Sequence, residues 1–370
     1  MTSDLLDVHV DGIVYTEVPL GGIARMWTSI INRLPDHGCR VFLYLHHITL
    51  DETHFRPEIE IISYPRRHSL RPGRLFNPLT EKHYRGKLDA MWSRARTGVF
   101  HSTHFTTSAK LTIPQVITVH DLFHERLPHC FSEAQKHPFC ERRRECVEAA
   151  DAIICDSEAT AEDVRLTYGP RPGNSRVVWA AVDPAFQPLA ESEIKQAVQL
   201  DEHCPYILYV GTRYPYKNFS GLLAGYAAWP GNNRYQLLTV GPPPTPDELA
   251  LLDALGIARQ VKFSPALSDS DLRMAYNLAS AVVMPSLSEG FGLPLWEAMA
   301  CEVPVVSSKG GSLPEIGGDI PYYFDFGPPV NIARALEAAV AASRPSERLK
   351  WGRQRATERT WDDVTRDYVD

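Results

Sequence analysis

Residues 281–301, AVVMPSLSEGFGLPLWEAMAC, contain the pattern from which we infer the fold of the chain. The apolar run Ala281–Met284 predicts a short buried strand. A loop with the glycines Gly290 and Gly292 comes next, and Pro294 suits the first turn of a helix. A buried strand that passes through a glycine-containing loop into a helix is typical of a parallel sheet covered by helices.

The same alternation of apolar strands and helices extends in both directions from this stretch. Strands are predicted over 8–14, 41–45, 115–119, 152–155, 175–179, 206–210, 235–240, 260–263, 281–284 and 303–307. Helices are predicted over 23–34, 133–150, 158–167, 219–228, 246–255, 270–279 and 294–300. The fold class is therefore α/β, with two doubly wound halves whose ligands are expected at the carboxyl ends of the strands.

The chain has 370 residues, which is enough for two domains of ordinary size. Two prolines within residues 183–188 bracket a short connector, so the boundary is placed there. We predict a first domain over 1–184, a second over 185–345, and a charged C-terminal helix over 346–370 with apolar residues at Trp351, Trp361, Val364 and Tyr368.

Composition narrows the class of protein. The chain is 44% hydrophobic and carries a formal net charge of -7, so it can bury cores and is a poor candidate for nucleic-acid binding. Its seven cysteines include no C-x-x-C pair, which favours reduced thiols in the cytoplasm. We find no signal peptide and no run of about 18 apolar residues, so a cytoplasmic protein is expected, with peripheral membrane contact left open.

Two glutamates, Glu289 and Glu297, bracket the glycine loop with the spacing E-x7-E. We place Glu289 in the loop and Glu297 in the first turn of the following helix. Free N–H groups at a helix start attract anions, and carboxylates accept hydrogen bonds from hydroxyl groups. The stretch therefore predicts a site for an anionic, hydroxyl-rich ligand, and a nucleotide sugar fits that description.

A second cluster, GTRYPYKN over residues 211–218, follows the strand predicted over 206–210. It contains Gly211 and the cations Arg213 and Lys217, which predict a second anion-binding surface. Two cations facing one diphosphate would offset the charge that develops as a nucleotide leaves. The chain has neither a Walker motif nor a G-x-G-x-x-G, which weakens ATPase and dehydrogenase interpretations.

Longer stretches carry a family resemblance. YVGTRYPYKNFSGLLAGYA (209–227), PSLSEGFGLPLWEAMACEVPVV (285–306) and GGSLPEIGGD (310–319) resemble the retaining glycosyltransferases of family 4, which have the GT-B fold. VDGIVYTEVPLGGIARMWTSIINRL (10–34), VITVHDL (116–122) and RTWDDVTRDY (359–368) are similar to other segments of that family. The resemblance implies two Rossmann-like domains facing each other across a cleft, with the last helix returning to the N-terminal acceptor domain.

The resemblance also implies roles for single residues. Catalytic roles would fall to His120 beside the reacting carbon, Arg213 and Lys217 on the diphosphate, and Glu289 on the sugar hydroxyls. Glu297 would hold the ribose. The other donor-binding residues would be Gly21, Gly22, Gly211, Gly290, Phe291, Gly292 and Leu293. The family needs no metal or other cofactor beyond the nucleotide-sugar co-substrate.

The spacing of the two cations departs from the common family pattern. Arg213 and Lys217 are spaced R-x3-K instead of R-x4-K, a variant that resembles mannosyltransferase-like enzymes of surface-polysaccharide synthesis. The donor implied is GDP-mannose or a UDP-sugar, and the acceptor a hydroxyl of a glycan or of a lipid-linked molecule. The stretch Gly241-Pro-Pro-Pro is also more rigid than is usual in the family.

Several alternatives stay open. A sugar-nucleotide epimerase of the same fold would convert the donor without an acceptor, and a non-catalytic subunit would bind the nucleotide sugar without turnover. The histidines and cysteines of residues 101–146 lack the tight spacing of a zinc site, so we expect no metal. The basic segment 64–96 is either a solvated face or a docking surface for an anionic acceptor or membrane.

Overall fold

The computed structural model describes residues 5–18, 21–45, 54–63, 90–170, 175–190, 193 and 204–370. Residues 64–89, which form most of the predicted basic segment 64–96, lie outside the described residues. The other sequence motifs discussed above fall largely within the described parts of the chain, apart from short gaps such as residues 19–20.

Two parallel sheets organise the described residues. Their strands are β1 Leu6–Asp11, β2 Cys39–Leu45, β3 Glu60–Ser63, β4 Val99–Ser102, β5 Gln115–Val119, β6 Ala152–Cys155, β7 Ser175–Val177, β8 Tyr206–Val210, β9 Gln236–Val240, β10 Val261–Ser264, β11 Ala281–Met284, β12 Val305–Ser307 and β13 Tyr322–Tyr323. The first sheet has the order β3-β2-β1-β4-β5-β6-β7 and the second the order β10-β9-β8-β11-β12-β13. The prediction of two doubly wound α/β halves is confirmed.

Helices cover these sheets, and several of them begin at a side-chain cap or with a proline in the first turn. They are α1 Val14–Glu17, α2 Gly22–Ile31, α3 Phe123–Arg126, α4 Glu133–Ala149, α5 Glu158–Tyr168, α6 Phe219–Ala228, α7 Pro246–Ala254, α8 Asp269–Leu278, α9 Leu293–Ala300, α10 Leu313–Gly317, α11 Val330–Val340, α12 Glu347–Thr357 and α13 Trp361–Val369. In α8, for example, the Ser268 side chain accepts the Asp271 amide, and α7 begins with a capping box between Thr245 and Glu248.

The order of the strands determines where ligands are expected. In each sheet the chain reverses its direction of travel at the centre, between β1 and β4 in the first and between β8 and β11 in the second. Ligands of open α/β sheets bind at such a reversal, outside the carboxyl ends of the strands. The glycine loop after β11 and the cluster after β8 therefore lie together at the expected edge of the second sheet.

One apolar cluster joins the two halves. It contains strand residues of both sheets together with Phe186 from the connector, which is 1% exposed and meets the Tyr276 ring edge-on at 5.8 Å between ring centroids. Phe186 thus anchors a connector whose residues 183–185 and 187 are exposed, and the domains share packed side chains.

The C-terminal segment corrects one prediction. In place of a single charged helix over 346–370, α12 and α13 are separated by a break at which Thr360 begins a new helix with a capping box to Asp363. The last helix, α13, returns to the N-terminal domain, where it packs against α2, whereas α12 packs mainly on α9 of the second domain. Tyr368 of α13 stacks on His101 with 5.6 Å between ring centroids.

No helix within the described ranges is both long enough and apolar enough to cross a membrane.

Candidate active site

The loop after β11 holds Glu289 in a tight ionic contact. The Lys217 Nζ lies 2.8 Å from each of the two carboxylate oxygens, and the Ser286 hydroxyl donates to Oε1 at 2.5 Å. Glu289 is 7% exposed, so this charge is largely removed from water and depends on its partners. The structure therefore brings together the lysine of the cluster after β8 and the glutamate of the loop after β11.

Glycines allow this loop to approach the N-terminal domain. A Cβ atom at Gly290 would lie 1.8 Å from the backbone oxygen of His120, so no other residue fits without moving one of the two domains. Gly292 has φ 98° and caps the start of α9, a conformation that side-chain-bearing residues rarely adopt. The predicted loop-to-helix geometry is thus present, with His120 directly against it.

The prediction that Glu297 lies in the first turn of its helix is wrong. The helix α9 begins at Leu293, so Glu297 is its fifth residue and lies on the second turn, buried at 3% exposure. Its Oε1 accepts a short hydrogen bond from Arg25 of α2, and its Oε2 accepts one from the Tyr276 hydroxyl at 2.8 Å. Arg25 also reaches Asp269 at 3.0 Å, so this cation connects the two domains.

Arg213 has partners of its own, away from the pair formed by Lys217 and Glu289. Its Nε donates to Glu248 at 2.7 Å, and its Nη2 donates to the carbonyls of Pro242 and Pro243. The rigid Gly241-Pro-Pro-Pro stretch therefore has a structural use, because it presents carbonyl oxygens to a guanidinium. The side chain is 4% exposed, and its Nη1 has no hydrogen-bond partner among the described residues.

His120 follows β5 and is buried with an acidic partner. Its Nδ1 lies 2.7 Å from Asp156 Oδ2, while its Nε2 lies 3.4 Å from the Trp27 indole nitrogen and 3.2 Å from the Thr103 carbonyl. Burial works against a charged ring, but the Asp156 carboxylate outweighs it, so the pKa of His120 is raised above its usual value. Asp156 was not foreseen, although a carboxylate directly after the β6 strand was visible in the sequence.

The other predicted donor-binding residues lie along the same surface. Gly21 caps α2, and a Cβ at Gly22 would lie 2.8 Å from the Leu293 side chain, so the N-terminal loop touches the start of α9. Gly211 directly follows β8 with φ 136°. The Phe291 side chain packs edge-on against Trp296 at 5.0 Å between centroids and is 6% exposed, and its carbonyl accepts a hydrogen bond from the Ser312 hydroxyl at 2.8 Å.

No group of three or more His, Cys, Asp or Glu side chains in the described residues could hold a metal ion. The ring of His101, another histidine of 101–146, is held by a 3.0 Å hydrogen bond between its Nε2 and the Thr118 hydroxyl and by an edge-on contact with Trp27.

Comparison with known families and proteins agrees with this geometry. Residues 20–186 match the family described as Glycosyltransferase Family 4, and residues 190–355 match the family described as Glycosyl transferases group 1, so the two matches adjoin and span most of the chain. A D-inositol 3-phosphate glycosyltransferase of Mycobacterium sp. (strain JLS) is 35% identical over 46% of this chain and 40% of its own length. An O-antigen chain mannosyltransferase B of Escherichia coli is 30% identical over 60% of this chain and 59% of its own.

These curated relatives match the chain over about half of their own length. Solved structures are similar over nearly all of it. Sucrose-phosphate synthase from Thermosynechococcus elongatus has a TM-score of 0.80 at 20% identity and covers 98% of this chain and 97% of its own. Anabaena HepE in complex with UDP and glucose has a TM-score of 0.75 at 17% identity and covers 98% of both chains. The chain therefore belongs to glycosyltransferase family 4 and has the GT-B fold.

Proposed function

We propose that the protein transfers a hexose-type sugar from a nucleotide-sugar donor to a hydroxyl group of a glycan or lipid-linked acceptor. The observation that carries the proposal is the pair formed by Lys217 and Glu289, which lies at the carboxyl edge of the second sheet beside the start of α9. A cation and a carboxylate at that position match the two chemical demands of the donor, a diphosphate and a set of hydroxyl groups.

Lys217 retains capacity for a phosphate. An ammonium group has three N–H donors, and Glu289 takes two of them. The third donor is available for a diphosphate oxygen, while Glu289 orients sugar hydroxyls with its remaining lone pairs. As the bond between the anomeric carbon and the diphosphate breaks, the lysine offsets the charge that collects on the leaving group.

We propose that Arg213 binds the same diphosphate through its Nη1 atom. Its Nη1 is buried without a partner among the described residues, and it lies 3.8 Å from the position that a Cβ at Gly241 would occupy. A phosphate oxygen beside Gly211 would satisfy this donor. Glu248 and the two prolyl carbonyls would then serve to hold the guanidinium in place.

The reaction follows the family in its outline. The acceptor hydroxyl attacks the anomeric carbon from the face that the diphosphate leaves, its proton passes to the leaving phosphate, and the configuration is retained. His120 lies beside the reacting carbon, and Glu297 holds the ribose. These roles are the ones that family membership suggests for the positions that match its motifs.

The relatives suggest which nucleotide sugar is the donor. The name of the Escherichia coli mannosyltransferase favours GDP-mannose, and the UDP complex of Anabaena HepE supports a UDP-sugar as the second candidate. We further propose a role in polysaccharide or glycoconjugate synthesis in the cytoplasm. The basic segment 64–96 would meet an anionic acceptor or the inner face of an anionic membrane.

A thermal-shift panel of UDP-, GDP-, ADP- and dTDP-linked sugars tests the donor site. A ligand that binds only the folded protein raises its melting temperature, so one nucleotide series is expected to stabilise the wild type. The shift is expected to vanish in Lys217→Ala and to persist in Lys309→Ala, whose lysine pairs with Asp325 on the surface. A flat response of the wild type to every donor would refute the proposed function.

Arg25→Met tests the assignment of Glu297 to the ribose. Without donor, the variant is expected to be about 1 kcal/mol less stable, because a buried carboxylate loses a hydrogen bond that is partly screened by water. With donor, ribose hydroxyls would replace the lost partner, so the donor-induced rise in melting temperature is expected to exceed that of the wild type.

Arg56→Met is the matched control for Arg25→Met. Arg56 is 36% exposed against 37% for Arg25, and it pairs with Asp36 and Glu58 on the N-terminal domain. Its donor-induced shift is expected to equal that of the wild type. An equal or smaller shift in Arg25→Met would show that Glu297 does not receive the ribose.

A further inference from the structure

Glu315 crosses from the second domain to the first and caps a helix there. It lies on α10, and its Oε1 accepts the Glu158 amide at 2.9 Å while its Oε2 accepts the Ala159 amide at 3.1 Å. The indole N–H of Trp179 also donates to Oε1, at 2.7 Å. The first N–H groups of a helix have no partner within the helix, so a carboxylate at this position is stabilised by both hydrogen bonds and the helix dipole.

Two residues from different domains, Ser157 and Glu315, cap the start of α5. The helix α5 already has its own cap, because the Ser157 hydroxyl accepts the Thr160 amide at 3.1 Å. Glu315 satisfies the two amides that Ser157 leaves free. The additional carboxylate comes from a residue 157 positions away in sequence. Its hydrogen bonds therefore contribute to how the domains sit against each other, beyond the stability of α5 itself.

The capped segment leads directly to His120. Asp156, which holds the His120 ring, immediately precedes Ser157 at the start of α5. The Ser157 hydroxyl donates to the Gly290 carbonyl at 2.7 Å, which ties the same segment to the loop that carries Glu289. Movement of the α5 start would therefore displace the His120 ring relative to this loop.

Hydrogen bonds also join the short helix α10, which carries Glu315, to the loop with Glu289. Ser312, three residues before Glu315, donates through its hydroxyl to the carbonyls of Glu289 at 3.1 Å and Phe291 at 2.8 Å. Its backbone amide donates to the Glu289 carbonyl at 3.0 Å. The short helix α10, which carries Glu315, and the loop with Glu289 are thus joined by hydrogen bonds. Through Glu315, this unit binds the N-terminal domain, which contains His120.

We propose that Glu315 is a positioning residue that sets the register of His120 against the Glu289 loop when the cleft is closed. The proposal rests on the proposed function for its kinetic consequence. It requires no contact between Glu315 and the substrate. Most of the proposed donor contacts, including Lys217, Glu289 and Glu297, lie on the second domain. Loss of the Glu315 hydrogen bonds is therefore expected to change donor binding little and to lower the fraction of molecules in which the two halves of the site are aligned.

Glu315→Gln is the test. The glutamine keeps the size of the side chain but loses its charge and presents an N–H group where one oxygen accepted an amide. Charge-assisted hydrogen bonds of this kind correspond to about 10- to 100-fold in an equilibrium constant. With GDP-mannose or UDP-glucose as probe, we expect kcat for release of the nucleoside diphosphate to fall about tenfold or more, with KM and the donor-induced thermal shift unchanged.

Glu337→Gln provides a matched control. Glu337 accepts the Trp229 indole N–H at 2.6 Å, the same kind of bond that Glu315 makes with Trp179, but both residues lie within the second domain. Its kcat is expected to equal that of the wild type. If Glu315→Gln also keeps the wild-type kcat and loses only thermal stability, Glu315 is a structural cap and the proposal is overturned.

A second measurement separates this proposal from the proposed function. Small-angle X-ray scattering needs no substrate, and Glu315→Gln is expected to have a larger radius of gyration than the wild type or Glu337→Gln. An unchanged radius would overturn the proposal even in an active enzyme. A wild type that neither binds nor hydrolyses any donor would refute the function instead, and the scattering result would still decide whether Glu315 holds the domains together.

Discussion

Replacement of Glu289 by glutamine is expected to lower turnover by about 100- to 1000-fold while the protein stays folded. The carboxylate performs two tasks at once in the proposed reaction. It orients the sugar hydroxyls, and it holds the Lys217 ammonium through two contacts of 2.8 Å. A glutamine retains one oxygen and the shape of the side chain, but it loses the charge that fixes the lysine beside the departing diphosphate.

The fold should survive this substitution. Lys217 is 21% exposed and can take water in place of the lost oxygen, and the Ser286 hydroxyl still has an acceptor. We therefore expect a melting temperature within a few degrees of the wild type, so that a loss of turnover reports on chemistry. Initial rates of nucleoside diphosphate release with the donor identified in the thermal-shift panel give the measurement.

Asp325→Asn is the matched control for Glu289→Gln. Asp325 also pairs with a lysine, Lys309, at 3.0 Å in the same domain, but both side chains are mostly exposed. Its turnover is expected to be unchanged. In the double variant Lys217→Ala/Glu289→Gln, the losses should be far from additive, because the two residues act as a unit. Near-wild-type turnover in Glu289→Gln would remove this pair from the reaction.

The elements of the fold that can be predicted from the sequence are those whose own residues form a clear apolar pattern. The strands at 115–119, 152–155, 206–210 and 281–284 were predicted with their observed bounds, because each is a mainly apolar run followed at once by a polar residue, a glycine or a proline. Strand β4 was missed because His101 and Ser102 occupy half of it. Both are buried, which the sequence alone does not reveal.

The candidate active site likewise contains residues that a local motif predicts and contacts that no local motif predicts. Glu289 and Lys217 were predicted from their own neighbourhoods, a glycine loop and a basic turn, and the structure places them in contact. The hydrogen bond of Arg25 to Glu297 joins residues 272 positions apart, and that of Trp179 to Glu315 joins residues 136 apart. Such pairs depend on how the two domains meet, and no periodicity or motif near either partner encodes that meeting.

The position of Glu297 failed for a narrower reason. Pro294 was taken as a sign of the first helical turn, which is correct, but the helix already begins at Leu293 and turns every 3.6 residues. Glu297 is therefore the fifth residue of the helix instead of the fourth, at the start of the second turn, where it contacts Tyr276 and Arg25. An error of one residue is within the usual uncertainty of helix boundaries. The partners of Glu297 come from α2 and α8, and no pattern around residue 297 in the sequence identifies them.

Stability is expected to fall as the pH is lowered from about 6.5 towards 5, and the buried ring of His101 is a principal cause. Its ring is buried between the Trp27 edge, at 4.8 Å between centroids, and the Tyr368 ring, at 5.6 Å. Burial lowers the pKa of His101 to about 3, and a protonated His120 nearby disfavours the charged form further. The neutral ring is thus the form that the folded protein requires.

The sign follows from comparing the two states. In the unfolded chain His101 takes up a proton below pH 6.5, whereas in the folded protein it stays neutral until about pH 3. Protonation therefore favours unfolding across this window, by about 1.4 kcal/mol for each pH unit. The raised pKa of His120 acts in the opposite sense, but its stabilising contribution is already complete below pH 6.5 and does not change within the window.

Urea unfolding at pH 6.5 and pH 5 tests this expectation. The wild type should lose on the order of 2 kcal/mol between the two values, and His101→Phe, which keeps an aromatic ring between Trp27 and Tyr368, should lose much less. His9 and His124, whose pKa values burial also lowers, account for any slope that remains in the variant. The exposed His137 serves as control, since His137→Gln should keep the full wild-type slope. Equal losses in the wild type and His101→Phe would mean that the buried ring does not set the acid limit, and that Tyr368 and α13 hold to the N-terminal domain independently of its charge.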